Sequence, residues 1–227
     1  MPDQLVFSFG VTHALSRDAF IVAPSNEQAL AFIERWPDWP ARAAAIWGPA
    51  QAGKTHLASI WCAKSGAQLV PASHLKAIDV AELPVGASLA VELADPTHPD
   101  VSRDRALLAL FERPAGNLLL TARSHPSDWA VTIADLKSRY DSLLAFPLGA
   151  PDGALLTGLI RKHFFDRQLE VADTVVAHLL THLERTPEAI AAFIARSDEK
   201  GLIEKRAVTE RLILELIDAE SRKHFDS

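Results

Sequence analysis

The stretch Ala43-Ala44-Ala45-Ile46-Trp47-Gly48-Pro49-Ala50-Gln51-Ala52-Gly53-Lys54-Thr55-His56 decides the fold of this 227-residue chain. Residues 48–55 fit GxxxxGK[ST], a loop whose backbone N–H groups cradle phosphates. Context strengthens the pattern. Residues 43–47 read as a short buried strand and residues 56–64 as a helix. An anion between the two meets converging N–H groups and the positive end of a helix dipole. The candidate nucleotide-binding residues are therefore Gly48, Pro49, Ala50, Gln51, Ala52, Gly53, Lys54, Thr55 and His56. Gly53 lets the backbone approach the phosphates. Lys54 neutralises the β- and γ-phosphates, and the Thr55 hydroxyl suits Mg²⁺. The implied cofactor is ADP or ATP with Mg.

Outward from the loop, strands alternate with helices. Ser25 with Gln28 three residues later reads as a capping box opening a helix through Ala29, Leu30, Phe32, Ile33 and Trp36, ended by Pro37 and Pro40. Residues 67–71, 88–93 and 142–146 are strand candidates. Residues 117–122 form the continuous apolar run of a central parallel strand. Residues 102–112 have a helical apolar face. After Pro151 the strand signals stop. Helical spacing then recurs over residues 152–166 and 171–184, after Thr186-Pro187-Glu188, and from Thr209 through Ile217. The expected architecture is α/β, with a parallel five-stranded sheet over residues 24–150 and a small all-α lid over residues 151–227. An N-terminal segment, residues 1–23, precedes them. This P-loop domain with a helical lid resembles the layout of AAA+ proteins.

Bulk properties narrow the function classes. The net charge of −6 argues against a general DNA-binding surface, which needs a basic stripe to displace counterions. The one cysteine, Cys62, allows no internal disulfide and fits a reducing cytoplasm. As a residue of the helix after the loop it suits apolar filling better than nucleophilic chemistry. No apolar run is long enough for a membrane helix, and the N-terminus lacks the basic region of a secretory signal.

The hydrolytic pattern is damaged. The third strand of a P-loop ATPase usually ends in two acids, one supporting Mg²⁺ and one positioning the attacking water. Here it ends Val91-Glu92-Leu93-Ala94-Asp95. Glu92 can support the metal, through water. Leucine occupies position 93, and Asp95 lies two residues further on. Nucleotide binding without efficient turnover is the expectation. Thr121 is the candidate polar sensor at the end of the next strand, or a hydroxyl satisfying the backbone there; Arg123 is less suited to that role. Asp135-Leu136-Lys137-Ser138-Arg139-Tyr140 closes a helix before strand five. Arg139 is either a surface arginine favourable to the helix dipole or a cation aimed at phosphate.

Trp47-Gly48 leading into Gly53-Lys54-Thr55-His56-Leu57 resembles the P-loop of the bacterial replication initiator DnaA and its relatives. Asp135-Leu136-Lys137-Ser138-Arg139 resembles their box VII, which implies that Arg139 is an arginine finger acting in trans on a neighbour's ATP. Within that clade the chain is similar to the Hda-like regulatory inactivators. They lack the initiator's amino-terminal domain and its DNA-binding helix-turn-helix, and none is expected here after residue 219. Gln4-Leu5-Val6-Phe7-Ser8-Phe9 looks like the peptide that docks in the sliding clamp (beta subunit) of DNA polymerase III. Gln4 would bond at the pocket rim, with Leu5, Phe7 and Phe9 as alternating apolar anchors. An ordinary edge strand would show the same alternation. One departure is Glu188, which stands where the family's lid carries a sensor-two arginine; Arg185 is nearby.

The resemblance implies an adaptor that binds the clamp and DnaA, promotes hydrolysis of DnaA-bound ATP, prevents over-initiation, and meets DNA only indirectly. A homodimer stays open. A self-sufficient ATPase or remodeller using Lys54, Thr55 and Glu92 is the alternative. A degenerate DnaA-like member whose loop only stabilises the fold is another.

Overall fold

A computed structural model describes residues 15–77, 80–94, 96–205 and 207–225. Residues 4–9 and Asp95 lie outside this set. The chain divides into two units, Met1–Ala150 and Pro151–Ser227.

The first unit is built on a five-stranded parallel sheet: β1 Ala43–Trp47, β2 Gln68–Pro71, β3 Leu89–Ala94, β4 Leu118–Ala122 and β5 Leu144–Pro147. The strand order is β2-β3-β4-β1-β5. The strands are short and apolar because helices cover both faces, so neither face needs polar residues. Successive side chains alternate between two cores, as the pleat requires. Ala44, Ile46, Ala90 and Leu119 face one core, shared with α1 (Glu27–Glu34) and α2 (Lys54–Ser65). Ala45, Leu89, Val91, Leu118 and Leu120 face the other. Leu107 and Leu110 of α3 (Val101–Glu112) and Leu136 and Tyr140 of α4 (Ala134–Asp141) join them there.

The second unit is helical: α5 Gly153–Phe165, α6 Asp173–His182, α7 Pro187–Ile203 and α8 Glu210–Phe225. Its core gathers Leu156, Ile160, Phe164, Val175, Val176, Leu179, Ile190, Phe193, Ile194, Ile213 and Ile217. Thr186 caps α7, its Oγ1 accepting from the Ala189 N–H at 3.1 Å with Pro187 in the first turn.

Two local expectations need correction. No capping box opens α1. Its N-cap is Asn26, which makes no side-chain cap bond to the helix. Asn26 Oδ1 instead accepts from the Ala23 N–H (3.0 Å), and Nδ2 donates to the Ile21 carbonyl (2.9 Å). This amide ties down the incoming chain, and the helix starts after it. Strand five begins at Leu144, not at residue 142. Ser142 belongs to the end of α4, where both its N–H and its hydroxyl donate to the Arg139 carbonyl.

Among the described residues, one charged residue is wholly enclosed. Asp104 on α3 has no exposed surface. Its carboxylate accepts from the Thr132 N–H (2.6 Å) and hydroxyl (2.8 Å) and from Arg103 Nε (3.0 Å) and Nη2 (2.8 Å). Asp104→Ala leaves a largely buried guanidinium and two donors without their acceptor. Breaking such a pair from one side costs about 3 kcal/mol or more. Urea unfolding of the variant should show that loss; a change below ~1 kcal/mol, the worth of an exposed pair, would contradict the assignment.

Candidate nucleotide site

The phosphate loop leaves β1 and returns as α2. At Gly48 φ is +156°, and a Cβ there would lie 2.3 Å from the Leu148 carbonyl oxygen. Only glycine lets the outgoing loop pass the end of β5 so closely. Gln51 and Gly53 both take positive φ, 65° and 95°. Gly53 is the N-cap of α2 and, like any glycine, offers no side-chain cap. The first-turn N–H groups of α2 are thus left for an external acceptor. Lys54 Nζ donates to the loop's own carbonyls at Gly48 (2.8 Å) and Pro49 (2.6 Å). Burial, and then the nearby Arg123 guanidinium, push its pKa below the usual lysine range, while Glu92 pulls it back up.

Thr55 Oγ1 donates to Glu92 Oε1 at 2.5 Å. The first helical turn and the end of β3 therefore present a hydroxyl and a carboxylate to one point. These two hard oxygen donors beside a phosphate cradle suit Mg²⁺, which prefers a few carboxylate or hydroxyl ligands plus phosphate and water. The site residues fit a magnesium nucleotide. Lys54 and the α2 N-terminus would hold the phosphates, and Thr55 and Glu92 the ion, which would neutralise phosphate charge when bound.

Leu93 turns the other way. It occupies an irregularity in the β3–β4 register between Glu92 and Ala94. It is 6% exposed and packs in the core with Val91, Leu120 and Trp129. Thr121, 2% exposed, pairs across the sheet with Glu92 and with Ile46, which places it between the acid and the start of the loop.

The chain before α1 also reaches the site. His56 Nε2 lies 2.8 Å from the Ser16 carbonyl, and the His56 ring meets Phe20 edge-on at 5.0 Å. Burial lowers the His56 pKa, with the Ser16 bond opposing. Ser16 and Phe20 thus form one wall of the loop's surroundings. Sequence reasoning missed this wall, because the apolar run Ala19-Phe20-Ile21-Val22-Ala23 carries no motif that ties it to the loop. Cys62 is packed against the core, and burial, followed by the charge of Glu92, raises its pKa to about 11. It is a filler and not a thiolate nucleophile.

Arg139 lies apart, in the last turn of α4. Its guanidinium is 3.9 Å from Glu112 and 5.9 Å above the Phe111 ring, and the side chain is 39% exposed. In the second unit Glu188 is exposed in the first turn of α7, and Arg185 lies against Gly153 at the start of α5.

No protein-family model matches the sequence, and no curated protein matches it. Solved structures do match in fold. The chain is similar to DnaA from Aquifex aeolicus bound to AMPPCP, with TM-score 0.69 and 18% identity over 94% of this chain and 70% of that one. It is similar to domain III of the Thermotoga maritima replication initiation protein DnaA, with TM-score 0.68 and 15% identity over 91% and 96%. The Thermotoga maritima RuvB Holliday junction branch migration motor matches with TM-score 0.65 and 16% identity over 92% and 72%. The fold is that of the AAA+ domains of DnaA and RuvB.

Proposed function

We propose that this chain is a DnaA-related AAA+ regulator of the Hda-like kind. It holds ADP or ATP with Mg²⁺ at residues 48–56, docks on the sliding clamp of DNA polymerase III through residues 4–9, and offers Arg139 to ATP held by DnaA. Hydrolysis of that ATP would limit re-initiation of replication. The observation that carries this reading is a split at its own site. The Thr55–Glu92 pair and the loop are complete, while the position beside Glu92 that a hydrolytic acid would fill is a core leucine. Such a site suits binding far better than turnover. The half-exposed guanidinium of Arg139 can then serve a partner. The likeness to AMPPCP-bound DnaA supports a nucleotide in the loop.

The test combines purified chain, ATP, DnaA and DNA-loaded clamp. Turnover that appears only in the full mixture supports the adaptor reading; turnover by the chain alone supports a self-sufficient ATPase. The clamp contact has its own expected outcome. Replacing Gln4, Leu5 and Phe7 with alanine should lose clamp affinity while the melting temperature stays unchanged, because a few anchors carry most interface energy. Equal affinity in a calorimetric titration would remove residues 4–9 from the reading.

A further inference from the structure

We infer that His178 and His182 on α6 form a two-nitrogen chelate for a late first-row divalent ion, Zn²⁺, Ni²⁺ or Cu²⁺. The site lies in the second unit and is independent of the nucleotide reading. Spacing brings the pair together. Residues four apart share one side of a helix, while Val175, Val176 and Leu179 turn into the core. His178 is half-buried and His182 exposed, so an ion can reach them from solvent. The two ring centroids stand 4.1 Å apart, with the planes tilted by 49°. An ion about 2.0–2.1 Å from each imidazole nitrogen needs those nitrogens roughly 3 Å apart. Small rotations of two rings already in contact provide that separation.

The tautomer of His182 is set for ligation. Its Nδ1 lies 2.9 Å from the His178 carbonyl oxygen. A carbonyl can only accept, so Nδ1 carries the proton and Nε2 keeps its lone pair. A metal-bound histidine ordinarily anchors its other ring N–H on a carbonyl or carboxylate, which fixes the ring's orientation. Here the anchor is the backbone of the second ligand residue, so one turn of helix holds both rings. Position adds an attraction. His182 stands in the last turn of α6, where the partial negative charge of a helix end favours a cation. Imidazoles select these ions over Mg²⁺, which takes oxygen donors, and Cu²⁺ heads the affinity order. Among the described residues no group of three or more His, Cys, Asp or Glu could hold a metal ion. The chelate therefore has two ligands among them, and water fills the remaining positions.

The experiment titrates Zn²⁺ and Cu²⁺, with excess Mg²⁺ to fill oxygen sites, into the untagged full chain and into His178→Gln and His182→Gln. The chain has nine histidines, so the difference between parent and variants assigns the site. The parent is expected to bind one equivalent here, Cu²⁺ more tightly than Zn²⁺. Each variant should lose about tenfold or more in affinity for both ions, because a chelate needs both nitrogens. Melting temperature gives a second reading. Zn²⁺ should raise that of the parent with the logarithm of its concentration once the site saturates. It should leave His182→Gln, a change at an exposed position, unmoved. A parent without this equivalent, or either variant with unchanged affinity, overturns the site.

Discussion

Replacing Arg139 with alanine is expected to abolish stimulation of DnaA-bound ATP hydrolysis and to leave the chain folded and bound to the clamp. Arginine fingers contribute roughly 10³–10⁵ in rate, because a planar cation stabilises charge on the transferring phosphoryl group. The contacts of Arg139 do not commit it to a structural role. Its partner Glu112 is itself exposed at 57% and sits at the 3.9 Å edge of ion-pair range. Such pairs contribute little to stability. The Phe111 face below the guanidinium holds it at the end of α4 without burying it. A lysine should rescue little, since an ammonium lacks the two-pronged geometry. The measurement is single-turnover hydrolysis of ATP pre-bound to DnaA with loaded clamp present. An alanine variant that stimulates as well as its parent would sink the trans-acting finger and, with it, the main support of the adaptor reading.

The fold was legible because its signals are local. The loop residues, the apolar run of β4 and the change of periodicity after Pro151 each need only a few neighbours in sequence. The Thr55–Glu92 contact spans 37 positions yet was readable, because loop and acidic strand end belong to one chemical pattern. Arg123 was not readable in the same way. Its closeness to Lys54 exists only because β4 inserts between β3 and β1, and periodicity along a chain does not encode strand order. Asp104 was hidden for another reason. A charge on an amphipathic helix reads as solvent-facing, and only the arrival of Thr132 from a distant loop makes its burial tolerable. Asn26 shows local chemistry misread: its amide serves the preceding turn, so the helix start expected from Ser25 and Gln28 was never built.

Lys54→Ala should lower adenine nucleotide affinity by about a hundredfold or more, the upper worth of bonds to a charged group. The reasoning starts from what Lys54 does without a nucleotide. Its ammonium donates to the carbonyls of Gly48 and Pro49, folding over the loop that it would serve. Burial and the Arg123 charge both disfavour its protonated form there. A triphosphate would replace two neutral acceptors with anionic ones and strengthen the same bonds. Alanine removes this gain and leaves the loop backbone, whose φ values depend on Gly48, Gln51 and Gly53, able to keep its shape. The parent chain should bind ADP and AMPPCP yet show no turnover at rates typical of working ATPases, about 1 s⁻¹ or above, because Leu93 supplies no carboxylate to orient water. Calorimetry on parent and variant checks the first claim, and steady-state phosphate release by the isolated parent checks the second. Equal affinities for the two proteins would remove Lys54 from the site. Brisk turnover by the parent would show that another group orients the water, and the chain would then act on its own nucleotide before any partner's.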